Sequence, residues 1–177
     1  YYRKALEVEN KINNLPWKGI ISGNMAQIYF AQENYTAALP LFDLDYNISK
    51  EKEIYDNAAN SLQWAAKTNL ALGDRVIALK QVREAFGLLQ KWPSSNYQQN
   101  AYNTASEIFK SMGNNDSAYY YAGKYTKLHD SLERTIYQSS ISISKLRLNE
   151  EKNRYGIGKL QRENEEMVQQ RNFIIAG

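Results

Sequence analysis

Ile28-Tyr29-Phe30-Ala31-Gln32-Glu33-Asn34-Tyr35-Thr36-Ala37-Ala38 has two counterparts further along the chain, each displaced by 40 residues. They are Thr68-Asn69-Leu70-Ala71-Leu72-Gly73-Asp74-Arg75-Val76-Ile77-Ala78 and Ile108-Phe109-Lys110-Ser111-Met112-Gly113-Asn114-Asn115-Asp116-Ser117-Ala118. Ala38, Ala78 and Ala118 hold one register through all three. Small residues stand twelve positions before them, at Ala26, Ala66 and Ser106, and Tyr29, Asn69 and Phe109 stand nine before. A fixed period of this length marks a repeat architecture, in which each unit buries its apolar face only by stacking on its neighbours.

The units read as paired antiparallel helices. Small residues are needed where two helix backbones approach closely, and large aromatics fill the space between pairs. Gly73 and Gly113 are placed to end the first helix of a pair, where a left-handed residue is wanted. Thr36 and Asp116 are the expected N-caps of the second helices. That cap would put Pro40 in a first turn, where a missing N–H costs little. Ala78, Leu79, Val82, Ala85, Phe86 and Leu89 form one stripe at helical spacing. Pro16 suits the start of the first pair, and Ser95 with Gln98 forms a capping box for the third. Tyr2-Arg3-Lys4-Ala5-Leu6 fits one period earlier, with Ala5 aligned to Asp45, Ala85 and Tyr125. The expected organisation is an all-α solenoid: a partial repeat over 1–18, full repeats over about 19–58, 59–98 and 99–130, and a separate C-terminal segment over 131–177.

Ala26, Tyr29, Ala38 and Phe42, then Ala66, Gly73, Ala78, Val82 and Ala85, then Phe109, Gly113 and Ala118 give this pattern its identity. It resembles the tetratricopeptide repeat over roughly residues 1–130. The period of 40 exceeds the usual ~34 residues. Glu33 replaces the turn glycine, and Asn69 and Asp45 stand where an aromatic and an alanine are usual. The resemblance implies an extended concave surface built from the first helix of each pair. Its inward positions transfer onto Asn24 and Gln27, then Asn60, Gln63, Trp64 and Lys67, then Asn100, Asn103 and Glu107. Amides with one lysine would hydrogen-bond an extended peptide, so a protein or peptide ligand is the expected partner. Ordinary solvated helix faces are the competing account of the same residues.

The 40-residue register stops after the third unit, since Gly158 lies one period beyond Ala118 without the surrounding skeleton. Asp130-Ser131-Leu132-Glu133 reads as a capping box that opens a new helix. An approximate heptad follows, with Ile136, Ile143, Ile157 and Asn164 at one position and Leu146, Leu160, Met167 and Ile174 at the other; Ser139, Glu150, Asn153 and Arg171 interrupt it. Gly156 and Gly158 are expected to mark a bend or a hairpin turn. The stretch Ile136 to Leu148 would cap the last repeat, and the remainder would be a solvated arm or a stalk that can pair with a second copy.

The charged run ends in Gln169-Gln170-Arg171-Asn172 and turns apolar at Phe173-Ile174-Ile175-Ala176-Gly177, as a juxtamembrane segment would. The whole arrangement resembles the extracytoplasmic tetratricopeptide region of bacterial membrane-bound regulators, whose output is a histidine kinase or a helix-turn-helix domain. This resemblance implies a periplasmic location and a membrane-spanning helix starting near Phe173. A soluble, cytoplasmic scaffold or chaperone adaptor is the alternative. Tyr1 is not an initiator methionine and no signal-peptide pattern opens the chain, so a fragment of a longer protein is expected.

Charge and chemistry narrow the function. The chain has 177 residues, and 22 Lys plus Arg face 19 Asp plus Glu, a net +3 without clustering, so direct nucleic-acid binding is not expected. There is no cysteine, which removes disulfide and thiol chemistry. His129 is the only histidine, and it lacks a nucleophile motif beside it. Asp43 with Asp45, and Glu163 with Glu166, could pair, but acids on helices are usually solvated. No phosphate loop or zinc spacing occurs, and the fourteen tyrosines fall mostly at packing positions. Neither catalysis nor a metal or other cofactor is expected.

Overall fold

A computed structural model describes residues 15–176, with the side chains of 15–172. The partial repeat expected over 1–18 lies mostly outside the described residues, as do the side chains of the apolar end at Phe173. The described residues form an all-α solenoid of six helices: α1 (Leu15–Ala31), α2 (Tyr35–Glu51), α3 (Tyr55–Ala71), α4 (Arg75–Lys91), α5 (Ser95–Ser111) and α6 (Asn115–Ala176). The first five are each 17 residues long. Three-residue turns separate them, so each helix packs antiparallel on the one before. The chain divides into two units, Tyr1–Asp130 and Ser131–Gly177.

The turns reveal a shorter period inside the 40-residue one. Glu33, Glu53, Gly73 and Gly113 have positive φ of 58°, 59°, 92° and 76°. The residue after each donates its N–H to the carbonyl five positions back: Asn34 to Tyr29, Ile54 to Ser49, Asp74 to Asn69 and Asn114 to Phe109. This is the left-handed helix ending that satisfies orphan carbonyls. Glu33 and Glu53 adopt it without being glycine, against a cost of about 1–2 kcal/mol for a left-handed L-residue. The remaining position of the series is Pro93, whose ring forbids positive φ, and there the helix ends instead at Trp92 with φ −125°.

Five local expectations are corrected. The N-caps are Asn34 and Asn114, whose side chains accept from the N–H of Ala37 and Ser117; Thr36 and Asp116 lie one residue inside the helix start. The earlier start leaves Pro40 inside α2 rather than in its first turn, on the exposed side. Ser94, not Ser95, caps α5, and it makes no side-chain cap bond, so no capping box forms there. No helix opens at Ser131 and none breaks at Gly156 or Gly158: α6 is continuous. About 1 kcal/mol per glycine does not outweigh a backbone ladder already propagating on both sides.

Packing explains the register. Ala26, Ala38, Ala66 and Ala78 are fully buried, and Ser106 donates from its hydroxyl to the Ala118 carbonyl at 2.9 Å. Each alanine of the series thus closes on the small residue twelve before it. Two apolar clusters follow, one around Ala26, Ala38, Phe42 and Ala65, the other running from Ala59 and Leu62 through Val82 and Leu89 to Ile108. The second unit is different. Ile136, Ile143, Leu146 and Leu148 are each at least half exposed (62%, 50%, 64% and 51%).

Candidate functional site

The first helices of the pairs line up: α1 touches α3, and α3 touches α5. Residues 40 apart therefore form rows across one face, the clearest being Gln27, Lys67 and Glu107. Asn24 and Gln27 on α1 and Asn60 on α3 are half-buried, and Asn100 on α5 is exposed. None of these four amide side chains has a hydrogen-bond partner among the described residues. Lys67 lies with its ammonium 5.7 Å from the centroid of the Trp64 ring, and Asn103 donates to Glu107 Oε1 at 2.9 Å. Lys67 and Glu107 form no ion pair with each other.

Two of the nine expected contact residues are committed elsewhere. Gln63 is buried at 3% exposure and donates through Nε2 to Thr104 Oγ1 at 2.9 Å, tying α3 to α5. Its Oε1 has no partner, and being buried it is out of a ligand's reach. Trp64 is the centre of an aromatic cluster: it stacks on Phe42 at 5.8 Å and 8°, and meets Phe30 edge-on at 5.4 Å. Its large surface is spent joining α1, α2 and α3, which periodicity alone cannot distinguish from a contact with a ligand. The other seven are half-buried or exposed.

The structure also supplies a site that sequence reading passed over. Asp45, noted as a misfit in the alanine series and as a possible partner of Asp43, is 3% exposed and lies within hydrogen-bond distance of Ser49, Asn57 and Ser61. The signal was available in Gly19 and Gly23, which leave room for it. Asp43, two residues away, is exposed, since residues i and i+2 do not share a helix face. Glu163 pairs instead with Lys159 at 3.7 Å. His129 Nδ1 lies 2.9 Å from Gln99 Nε2, and its ring stacks on Tyr125 at 5.7 Å. That is a packing arrangement with no nucleophile beside it. No group of three or more His, Asp or Glu side chains is placed to hold a metal among the described residues.

No described helix is long and apolar enough to cross a membrane. Neither a protein-family model nor a curated protein matches the chain.

Proposed function

We propose that the chain is a protein-interaction module of the tetratricopeptide kind, which binds an extended peptide or protein segment along the face of α1, α3 and α5. The observation that carries this reading is a set of amides with no side-chain partner among the described residues, Asn24, Gln27, Asn60 and Asn100, on helices that touch one another. An extended peptide presents backbone N–H and C=O groups in a row, and amide side chains can answer both. Lys67 and Glu107 add one charge of each sign on neighbouring helices, which would orient the ligand. Backbone-directed contacts of this kind favour a chain segment over a compact small molecule.

The setting we propose is the sensory region of a membrane-anchored bacterial regulator, periplasmic, with the second unit as a helical stalk that pairs with a second copy. Support comes from Ile136, Ile143, Leu146, Ile157, Leu160 and Met167. They recur at heptad spacing and are between 50% and 67% exposed, apolar surface that a partner helix would cover. The second reading, a soluble scaffold, keeps the same groove and drops the anchor. Two measurements test these proposals. NMR shift mapping with peptides selected from a displayed random library should perturb α1, α3 and α5 side-chain amides; shifts confined to α2 and α4 would refute the groove. A chain extended through the residues that follow Gly177 should partition into lipid vesicles if the anchor exists, and stay in the aqueous phase if it does not.

A further inference from the structure

Asp45 is the only acidic side chain among the described residues in the buried core. Its Oδ1 lies 2.9 Å from Asn57 Nδ2 and 3.3 Å from Ser49 Oγ, and its Oδ2 lies 2.6 Å from Ser61 Oγ. Counting hydrogens in this cluster decides its protonation. The Asn57 amide has two, one for Asp45 Oδ1 and one for Ser49 Oγ at 2.7 Å. The Ser49 hydroxyl hydrogen goes to Oδ1. Ser61 Oγ has a single hydrogen but two oxygen neighbours, Asp45 Oδ2 and the Asn57 carbonyl at 2.9 Å. With an ionised carboxylate, one of those two oxygen–oxygen contacts holds no hydrogen. A proton on Oδ2 fills it, because Oδ2–H then donates to Ser61 and Ser61 donates to the Asn57 carbonyl.

Among the described residues, no cation pairs with the Asp45 carboxyl. From α1, Gly19 and Gly23 lie against the carboxyl. From α2 comes Ser49, and from α3 come Asn57 and Ser61 with the acidic Asp56 nearby. From α5 comes Tyr97, whose phenol is pushed up by burial and then by Asp56 and Asp45, so it stays neutral. The ion pairs among the described residues, Lys50–Glu84, Lys52–Glu51 and Lys159–Glu163, leave Asp45 out. An unpaired buried charge costs several kcal/mol, and such a group neutralises instead.

We propose that Asp45 sits in the folded chain as a neutral carboxylic acid, and that its ionisation is a pH switch that loosens α1 from α2. Burial raises the carboxyl above its ordinary value, partly offset by the hydrogen bonds that Ser61, Asn57 and Ser49 can give the ionised form. The sign follows. A folded value above the unfolded one gives a contribution that is complete below the unfolded value and is lost as pH rises through the folded one. Because Asn24 and Gln27 ride on α1, the switch acts on one end of the amide face. It does not depend on any ligand binding there.

The test uses the intact 177-residue chain. The Asp45 carboxyl carbon, followed by NMR, should titrate above the ordinary aspartate value of about 3.9. Across the same pH range, amide-exchange protection of α1 relative to α4 should fall as Asp45 ionises. In Asp45→Asn, whose amide accepts from Asn57 and donates to Ser61 as the neutral acid does, that ratio should stay constant. Titration at or below the ordinary value overturns the proposal whether or not the variant folds. So does a wild-type protection ratio that ignores Asp45 ionisation.

Discussion

A β-carbon on Gly23 would overlap Asp45 Oδ2, so this glycine of α1 and this acid of α2 are one fitted pair. At the equivalent positions one period on, bulk is exchanged: Gln63 is the large residue and Ala85 the small one. Gly23→Ala should therefore destabilise the chain by about 1–3 kcal/mol, the usual cost of overpacking, even though alanine is the better helix former. Adding Asp45→Ala should return much of that loss. A double-mutant cycle by urea unfolding should give a favourable coupling of at least about 0.5 kcal/mol, and additive losses would separate the two residues.

The left-handed turns make a second prediction. Glu33→Gly and Glu53→Gly should each raise the thermal midpoint, by up to about 1–2 kcal/mol in stability. Gly73→Ala and Gly113→Ala should lower it. Pro93→Gly should bring no comparable gain, because the turn before α5 is not built on positive φ. Thermal unfolding of the five variants checks the series, and a uniform response would contradict it.

Pro40 interrupts α2 and removes the N–H that would reach the Thr36 carbonyl. Its exposed position means that its ring fills no core space. Pro40→Ala should stabilise the chain, by an amount bounded by the ~3 kcal/mol cost of an interior helix proline. A lower unfolding midpoint would show that the proline holds a packing role.

How much of this was legible beforehand depends on how strictly each position is constrained. Ala38, Ala78 and Ala118 could be read because close helix contact admits almost nothing larger. Gly73 and Gly113 announced their turns for the same kind of reason. The turn at Glu53 went unread, since glutamate carries no signal for a conformation imposed on it by the helices either side. The caps were misplaced by two residues because Asn34 and Thr36 are both good cap formers, and only the three-residue turn length chooses between them. The α6 glycines looked like breaks, yet no tertiary contact competes there to exploit their freedom. Of the candidate site, the row of amides followed from register alone. The commitment of Gln63 to Thr104 and of Trp64 to Phe30 and Phe42 did not, because it depends on which neighbours face them across α1, α2 and α5.

The exposed heptad of the second unit predicts self-association. The 177-residue chain should sediment as a dimer at micromolar concentration, and Leu146→Lys with Leu160→Lys should return it to a monomer without loss of helical signal. A wild-type chain that stays monomeric would remove the paired stalk and favour the soluble-scaffold reading.

The central claim concerns the amide face, and calorimetric titration tests it most directly. A peptide selected on the wild-type chain should bind the Asn60→Ala/Asn100→Ala variant at least about tenfold more weakly, a loss of about 1.4 kcal/mol, while the variant keeps its thermal midpoint. Lys67→Ala should weaken binding further, and the exposed Arg83→Ala on α4 should leave it unchanged. Equal affinity for wild type and the double variant would contradict the account and return those amides to an ordinary solvated surface.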